Sequence, residues 1–143
     1  PEVVMRALKI MNTYHYYPAV TLIVGHPGEQ DDEVDMTTQF IEEVYREGVH
    51  GIFAPLLYVD YYRPERSMTY EMMNKHHWRL YYTAWKHNTR EFSKMIGLGT
   101  QNFGPLSRFV TVIGTHILNF YILRFIKYRY RRLFGEIPNW MTI

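Results

Sequence analysis

The sequence predicts an α/β chain whose second half is helical, and three observations carry that expectation. Between Glu2 and Val59, segments with helical apolar spacing alternate with short, continuous apolar runs of strand length. No hairpin signal lies between those two runs, so they should pair in parallel, joined through the helix between them. From Thr69 onward, apolar and basic residues recur at helical spacing, with no further pattern of a strand.

Glu2–Asn12 places Val4, Leu8 and Met11 on one side with Ala7 between them, as an amphipathic helix does. Tyr14–Pro18 connects it to Val20–Val24, a β-branched run with the look of a buried strand. The strand ends on Gly25-His26-Pro27-Gly28-Glu29. The glycines permit backbone angles closed to other residues, and the proline fixes its own. Asp31 or Asp32 is expected to cap the helix Asp32–Glu47, whose early acids suit the positive end of its dipole. That helix puts Val34, Thr37, Ile41, Val44 and Tyr45 on one stripe, and Gly48 is a natural stop. Gly51–Val59 reads as the second strand, apolar at nearly every position as in a covered parallel sheet. Two strands do not make a sheet that stands alone. The others are expected from a missing N-terminal part, the chain reading as the C-terminal piece of a longer protein, or from copies of the chain itself.

The texture changes after Tyr61-Tyr62-Arg63-Pro64, which divides the chain into 1–64 and a helical segment, 65–143. Thr69–Met95 is expected to be a long helix capped by Ser67 or Thr69. Lys75, Arg79, Lys86, Arg90 and Lys94 share one arc of it, and Trp78, Tyr81, Trp85 and Phe92 another. Gly97–Pro105 reads as a glycine-rich loop. Phe109–Ile126 is a mostly apolar stretch of helical length, interrupted by His116, Asn119 and Arg124 and followed by the basic run Lys127–Arg132.

Charge and residue usage exclude several chemistries. Acids crowd the start of the Asp32–Glu47 helix, so the Gly25–Glu29 turn would repel a phosphate, and it lacks the Lys and Ser/Thr of a P-loop. The absence of cysteine rules out disulfides, thiolate zinc sites and cysteine-ligated iron–sulfur clusters within this chain. His77 and His87 lie ten positions apart, almost three helical turns, too far to share one metal. The strand–turn–helix unit is therefore the candidate site, since such turns line ligand sites in α/β proteins.

At "YYPAVTLIVGHPGEQDDEVDMTTQFIEEV", Tyr16 to Val44, the chain resembles the later strands of the (β/α) barrel of radical SAM enzymes, with the closest look to the cobalamin-binding branch. Many members carry a strand ending in Gly-Leu-Pro-Gly-Glu before an acidic-capped helix; here His26 stands in the Leu position. The resemblance extends from the first helix to the Gly51–Val59 strand, and fades beyond Asp60. It implies the last βα units of a partial barrel, followed by an all-helical C-terminal extension. It also implies S-adenosylmethionine as cofactor, cleaved to a radical by electron transfer from a 4Fe-4S cluster whose cysteines lie outside this chain. Carried over by position, Ile23 would face the adenine, Gly25 and Gly28 would shape the turn beside it, and Glu29 would anchor that turn or contact the cofactor. No catalytic residue and no metal ligand is expected in the chain, which should be inactive alone.

The expected function is thus that of a C-terminal part of a radical SAM enzyme using cobalamin held outside this chain. Methyl transfer, or formation of a C–C bond or ring, on an apolar or lipid-like small molecule fits the hydrophobic, basic tail. Two alternatives stay open. One is a non-catalytic α/β–helical module binding a partner protein or a membrane surface; the other is the tRNA-modifying branch of the same superfamily, although nucleic acid is not the expected partner. The Trp78–Phe92 stripe reads as core or as a stacking platform. The Phe109–Ile126 helix reads as buried in protein, including against a second copy, or docked on a membrane from the cytoplasmic side.

Overall fold

The computed structural model describes residues 1–100, 102 and 104–142. Six principal elements follow in order: α1 (Glu2–Thr13), β1 (Ala19–Val24), α2 (Asp31–Arg46), β2 (Ile52–Leu57), α3 (Lys75–Gly99) and α4 (Pro105–Phe134), with single 3-10 turns at Pro64–Arg66 and Asn139–Met141. Close contacts divide the chain into two compact units, Pro1–His87 and Asn88–Ile143. The change of texture at 64 marks where the strands cease; the spatial division falls within α3, because its first turns supply Leu80 and Ala84 to the core of the first unit.

In the first unit β1 and β2 pair in parallel, in register from Ala19 opposite Ile52 to Val24 opposite Leu57. One face of this pair is covered. Val24 and Phe53 are fully buried, with Val20, Leu22 and Leu57 packed beside them against Met5 and Leu8 of α1, Val34, Ile41 and Val44 of α2, and Leu80 and Ala84 of α3. The other face, formed by Ala19, Thr21 and Ile23 with Ile52, Ala54 and Leu56, is partly or wholly open; Ile23 is 60% exposed and Leu56 53%. Strand side chains alternate between faces, so the two sets are separated residue by residue. The near-continuous apolar sequence of β2 led to the expectation of a sheet covered on both sides. In this chain the helices cover one.

Pro55 is informative about the edges. The N–H of Ile52 is bonded to Pro18 O at 2.9 Å and that of Tyr58 to Val24 O at 2.9 Å, so the even-numbered N–H groups of β2 point toward β1. The position of Pro55 therefore points away, and the missing donor falls on the outer edge of β2, where proline is tolerated.

Several boundaries differ from the sequence reading, each for a local reason. α1 buries Met5 and Leu8, whereas Val4 and Met11 are more than 40% exposed; the contact stripe is rotated by one position. In α2 the buried threonine is Thr38, its hydroxyl donating to Val34 O at 2.9 Å, not Thr37, and Tyr45 is exposed. The N-cap of α2 is Gln30 rather than Asp31 or Asp32: Glu33 turns its carboxylate back to accept the Gln30 N–H at 3.1 Å, as in a capping box. α3 starts at Lys75 because Asn74, a stronger cap than threonine, accepts the His77 N–H through its side-chain oxygen at 3.0 Å. Ser67 serves the preceding loop instead, its hydroxyl accepting the Asp60 N–H at 2.9 Å. Gly97–Gly99 belong to α3, and Gln101 and Phe103 of the expected loop lie outside the described residues.

In the second unit α4 begins on Pro105, a favoured first helical residue, and continues through the basic run to Gly135, which closes it at φ 79° with its N–H on Arg131 O at 2.8 Å. The 3-10 turn beyond folds back on the helix end, where Trp140 meets the Tyr130 ring edge-on at 5.6 Å and Met141 is fully buried.

Candidate functional site

The turn after β1 is built from two left-handed glycines, Gly25 at φ 80° and Gly28 at φ 92°. From His26 to Glu29 the chain closes a four-residue turn, with the Glu29 N–H on His26 O at 3.0 Å. The Glu29 carboxylate does not project outward. Its Oε2 accepts the Gly25 N–H at 2.7 Å and lies 3.1 Å from His77 Nε2. Both side chains are largely buried, at 17% and 12% exposure. The tautomer follows from the neighbours: His77 Nδ1 accepts the Asn74 N–H at 3.3 Å, so Nε2 carries the proton and donates to Glu29. One carboxylate oxygen thus ties the end of β1 to the first turn of α3.

A second link reinforces the first. Asn74 donates through its side-chain amide to Asp31 Oδ1 at 2.7 Å, and His76 Nδ1 lies 3.0 Å from Asp35. The starts of α2 and α3 are thereby joined beside the turn. Met68, held by its N–H on Tyr58 O at 2.9 Å, lays its side chain over Gly25; a Cβ at Gly25 would fall 2.5 Å from Met68 Cγ. At Gly28 the corresponding space is empty within 4 Å. His26 is exposed at the tip, its ring edge-on to Tyr58 at 5.2 Å.

The four residues singled out from the sequence therefore differ in what they offer. Ile23 presents an apolar side chain on the open sheet face, and Gly28 leaves open backbone at the end of the strand. Gly25 is roofed by Met68, and Glu29 is occupied in anchoring the turn, one of the two roles open to it. Met68, Asn74 and His77 were not foreseen. The signal for His77 was an asparagine three residues before a histidine at a helix start, hidden by placing that start at Thr69.

No metal centre emerges: among the described residues no three His, Asp or Glu side chains are placed to hold one ion. His87 is buried, with Nε2 on Gly51 O at 3.0 Å. The aromatic stripe of α3 is core where it begins. Trp78 is fully buried and stacks on Tyr70 at 6.0 Å, so its face is not available to a base. Burial pushes the Tyr81 hydroxyl well above the usual tyrosine range, aided by the Tyr70 hydroxyl at 3.0 Å, and burial also raises Tyr82. Folded values above the unfolded one mean that the stabilisation is complete below about pH 10 and is lost as pH rises through the folded values. Absorbance titration should show these two tyrosines ionising only together with loss of the α-helical circular dichroism.

No known protein family, curated protein or solved structure matches the chain at a significant level.

Proposed function

We propose that the chain is the C-terminal part of a radical SAM enzyme of the cobalamin-using kind, with β1 and β2 the last strands of a partial (β/α) barrel. The observation that supports this reading most is the parallel pair covered on one face only. Parallel sheets are normally covered on both faces. An open face of Ile23, Ile52 and Leu56, leading to a glycine turn at the strand ends, is what the inner wall of such a barrel would be. Pro55 favours β2 as the outermost strand, so that further strands would join along β1.

The fit to S-adenosylmethionine extends to part of a wall. Ile23 would give the adenine an apolar surface, and Gly28 would let the ligand approach the backbone. Glu29 and His77 would hold the turn in place without touching the ligand. When bound, that cofactor supplies one-electron chemistry at an unactivated carbon, driven by a cluster this chain has no cysteine to ligate. A cytoplasmic enzyme with a peripheral membrane contact through α4 fits the apolar substrate that methyl transfer or C–C or ring formation would act on.

The full-length protein, with its cluster reconstituted under anaerobic reduction, should form 5′-deoxyadenosine from S-adenosylmethionine, and the present chain alone should form none. Ile23→Asp in the full-length protein should raise the KM for the cofactor. A full-length protein with no Cys-x-x-x-Cys-x-x-Cys run upstream of Pro1 and no 5′-deoxyadenosine would end the proposal.

A further inference from the structure

The distribution of polarity on α4 is inverted relative to a helix that meets water. Asn119 is 6% exposed and donates through its side-chain amide to Thr89 O of α3 at 3.2 Å, both within the second unit. Thr111 and Thr115, two turns and one turn before it on the same line, are half-buried and bond their hydroxyls to Ser107 O and Thr111 O of their own helix. The outward surface is made mostly of Phe109, Val110, Ile117, Leu118, Phe120 and Tyr121, each more than half exposed, with His116 as the one exposed polar side chain among them. Polar side chains turned inward and apolar ones outward is the arrangement of a helix whose surroundings are hydrocarbon, where polar groups must find partners inside the protein.

Two further facts bear on what those surroundings are. Among the described residues α4 is the one helix long and apolar enough to cross a membrane, and only 11% of its most apolar stretch is buried, so it is not the core helix of this unit. From Lys94 to Arg132 every charged side chain is basic, and Arg124, Arg131 and Arg132 are exposed at the end of the apolar length. A second copy would bring the same positive charge to the contact, whereas an anionic lipid surface complements it.

We infer that α4 inserts its apolar length into an anionic bilayer, with Arg124–Arg132 remaining at the headgroups. This goes beyond a peripheral contact and does not depend on the cofactor chemistry. The charge-free segment Phe109–Leu123 spans about 22 Å at 1.5 Å per residue. A hydrocarbon core of about 30 Å exceeds that length. Insertion is therefore from one side, oblique and without crossing, with Arg108 and Arg124 extending their stems to the polar region. The Thr111–Thr115–Asn119 line stays turned to protein throughout.

The chain contains no cysteine, so a single introduced one can be labelled cleanly. A nitroxide on Ile117→Cys, followed by electron paramagnetic resonance, should gain collisions with oxygen and lose them with a water-soluble nickel complex when phosphatidylcholine–phosphatidylglycerol vesicles are added. The same label on Tyr61→Cys, at a position 89% exposed in the first unit, should show neither change. Vesicle sedimentation should show binding that rises with phosphatidylglycerol and falls with salt. It should weaken about a hundredfold when Arg124, Arg131 and Arg132 are replaced by Gln. Ile117→Asp, with its helical content verified by circular dichroism, should weaken it about tenfold or more. Absence of binding to vesicles of any composition overturns the inference. So does binding that leaves the Ile117 label accessible to the nickel complex, or a stable dimer in which two Ile117 labels broaden one another and vesicles are ignored. None of these outcomes bears on 5′-deoxyadenosine formation.

Discussion

Gly25→Val is expected to destabilise the first unit by about 2–4 kcal/mol, measured by chemical denaturation. Two effects add. A β-branched residue at φ 80° is strained whatever space surrounds it, and its Cβ would meet the Met68 side chain at 2.5–2.9 Å. Met68 is flexible, so the second effect is separable. In the double variant with Met68→Ala the steric part should be relieved and the backbone strain should remain, giving a positive coupling between the two sites. Under the proposed reading as part of a radical SAM enzyme, a displaced turn should reduce turnover by on the order of a hundredfold, the usual consequence of misplacing a ligand wall by about 1 Å. The resemblance implied that Gly25 shapes the turn beside the adenine. The structure lays the Met68 side chain over it, so the variant tests the seat of that roof over the turn.

Glu29→Ala should cost a similar amount, about 2–4 kcal/mol, for a different reason. Its carboxylate accepts the Gly25 N–H and the His77 Nε2–H, and removal leaves both largely buried donors without that acceptor. Glu29→Gln separates the contributions. The amide oxygen retains one acceptor for Gly25 N–H but gives up the charge, so the loss should be roughly half as large. His77→Ala should lose the tie to α3 while leaving the turn itself closed. A Glu29→Ala protein as stable as the parent would mean that the Gly25–Glu29 bond contributes nothing to holding the strand end, and the anchoring role would be withdrawn.

The strands were legible because β1 and β2 are short apolar runs bounded by glycine and proline, and parallel pairing followed from the absence of a turn dipeptide between them. α2 was legible from its periodicity, but its cap was not. Asp31 and Asp32 have equal local claims to the cap, and the choice of Gln30 was made by Glu33 folding back. The start of α3 was missed because Thr69 and Asn74 both qualify as caps, and what selects Asn74 is its engagement with His77 and Asp31 in three dimensions. The same limit applies to the site. Ile23, Gly25, Gly28 and Glu29 stand within one heptapeptide and could be read together. His77 lies 48 positions from Glu29, and Met68 belongs to an irregular loop with no periodic pattern to place it. The apolar stretch of α4 was readable as Phe109–Ile126, but not the full helix, Pro105–Phe134, which runs on through the basic residues, nor the side it turns inward, since most of its circumference is apolar.

The proline in β2 has a consequence for self-association. A sheet with two competent edges can add strands at both and grow without limit, the route to fibrous aggregates. Here the outer edge of β2 lacks a donor at Pro55, while the outer edge of β1 has no proline between Ala19 and Val24. A sheet that can join at one side only can satisfy that side once. Two chains meeting edge to edge about a twofold axis would consume both competent edges and leave a proline-interrupted rim at each end. Where the β1 edge is not already paired, as it would be by the further barrel strands of the proposed reading, sheet-mediated association of this chain would end at pairs, and a single residue in the second strand would set that stopping point.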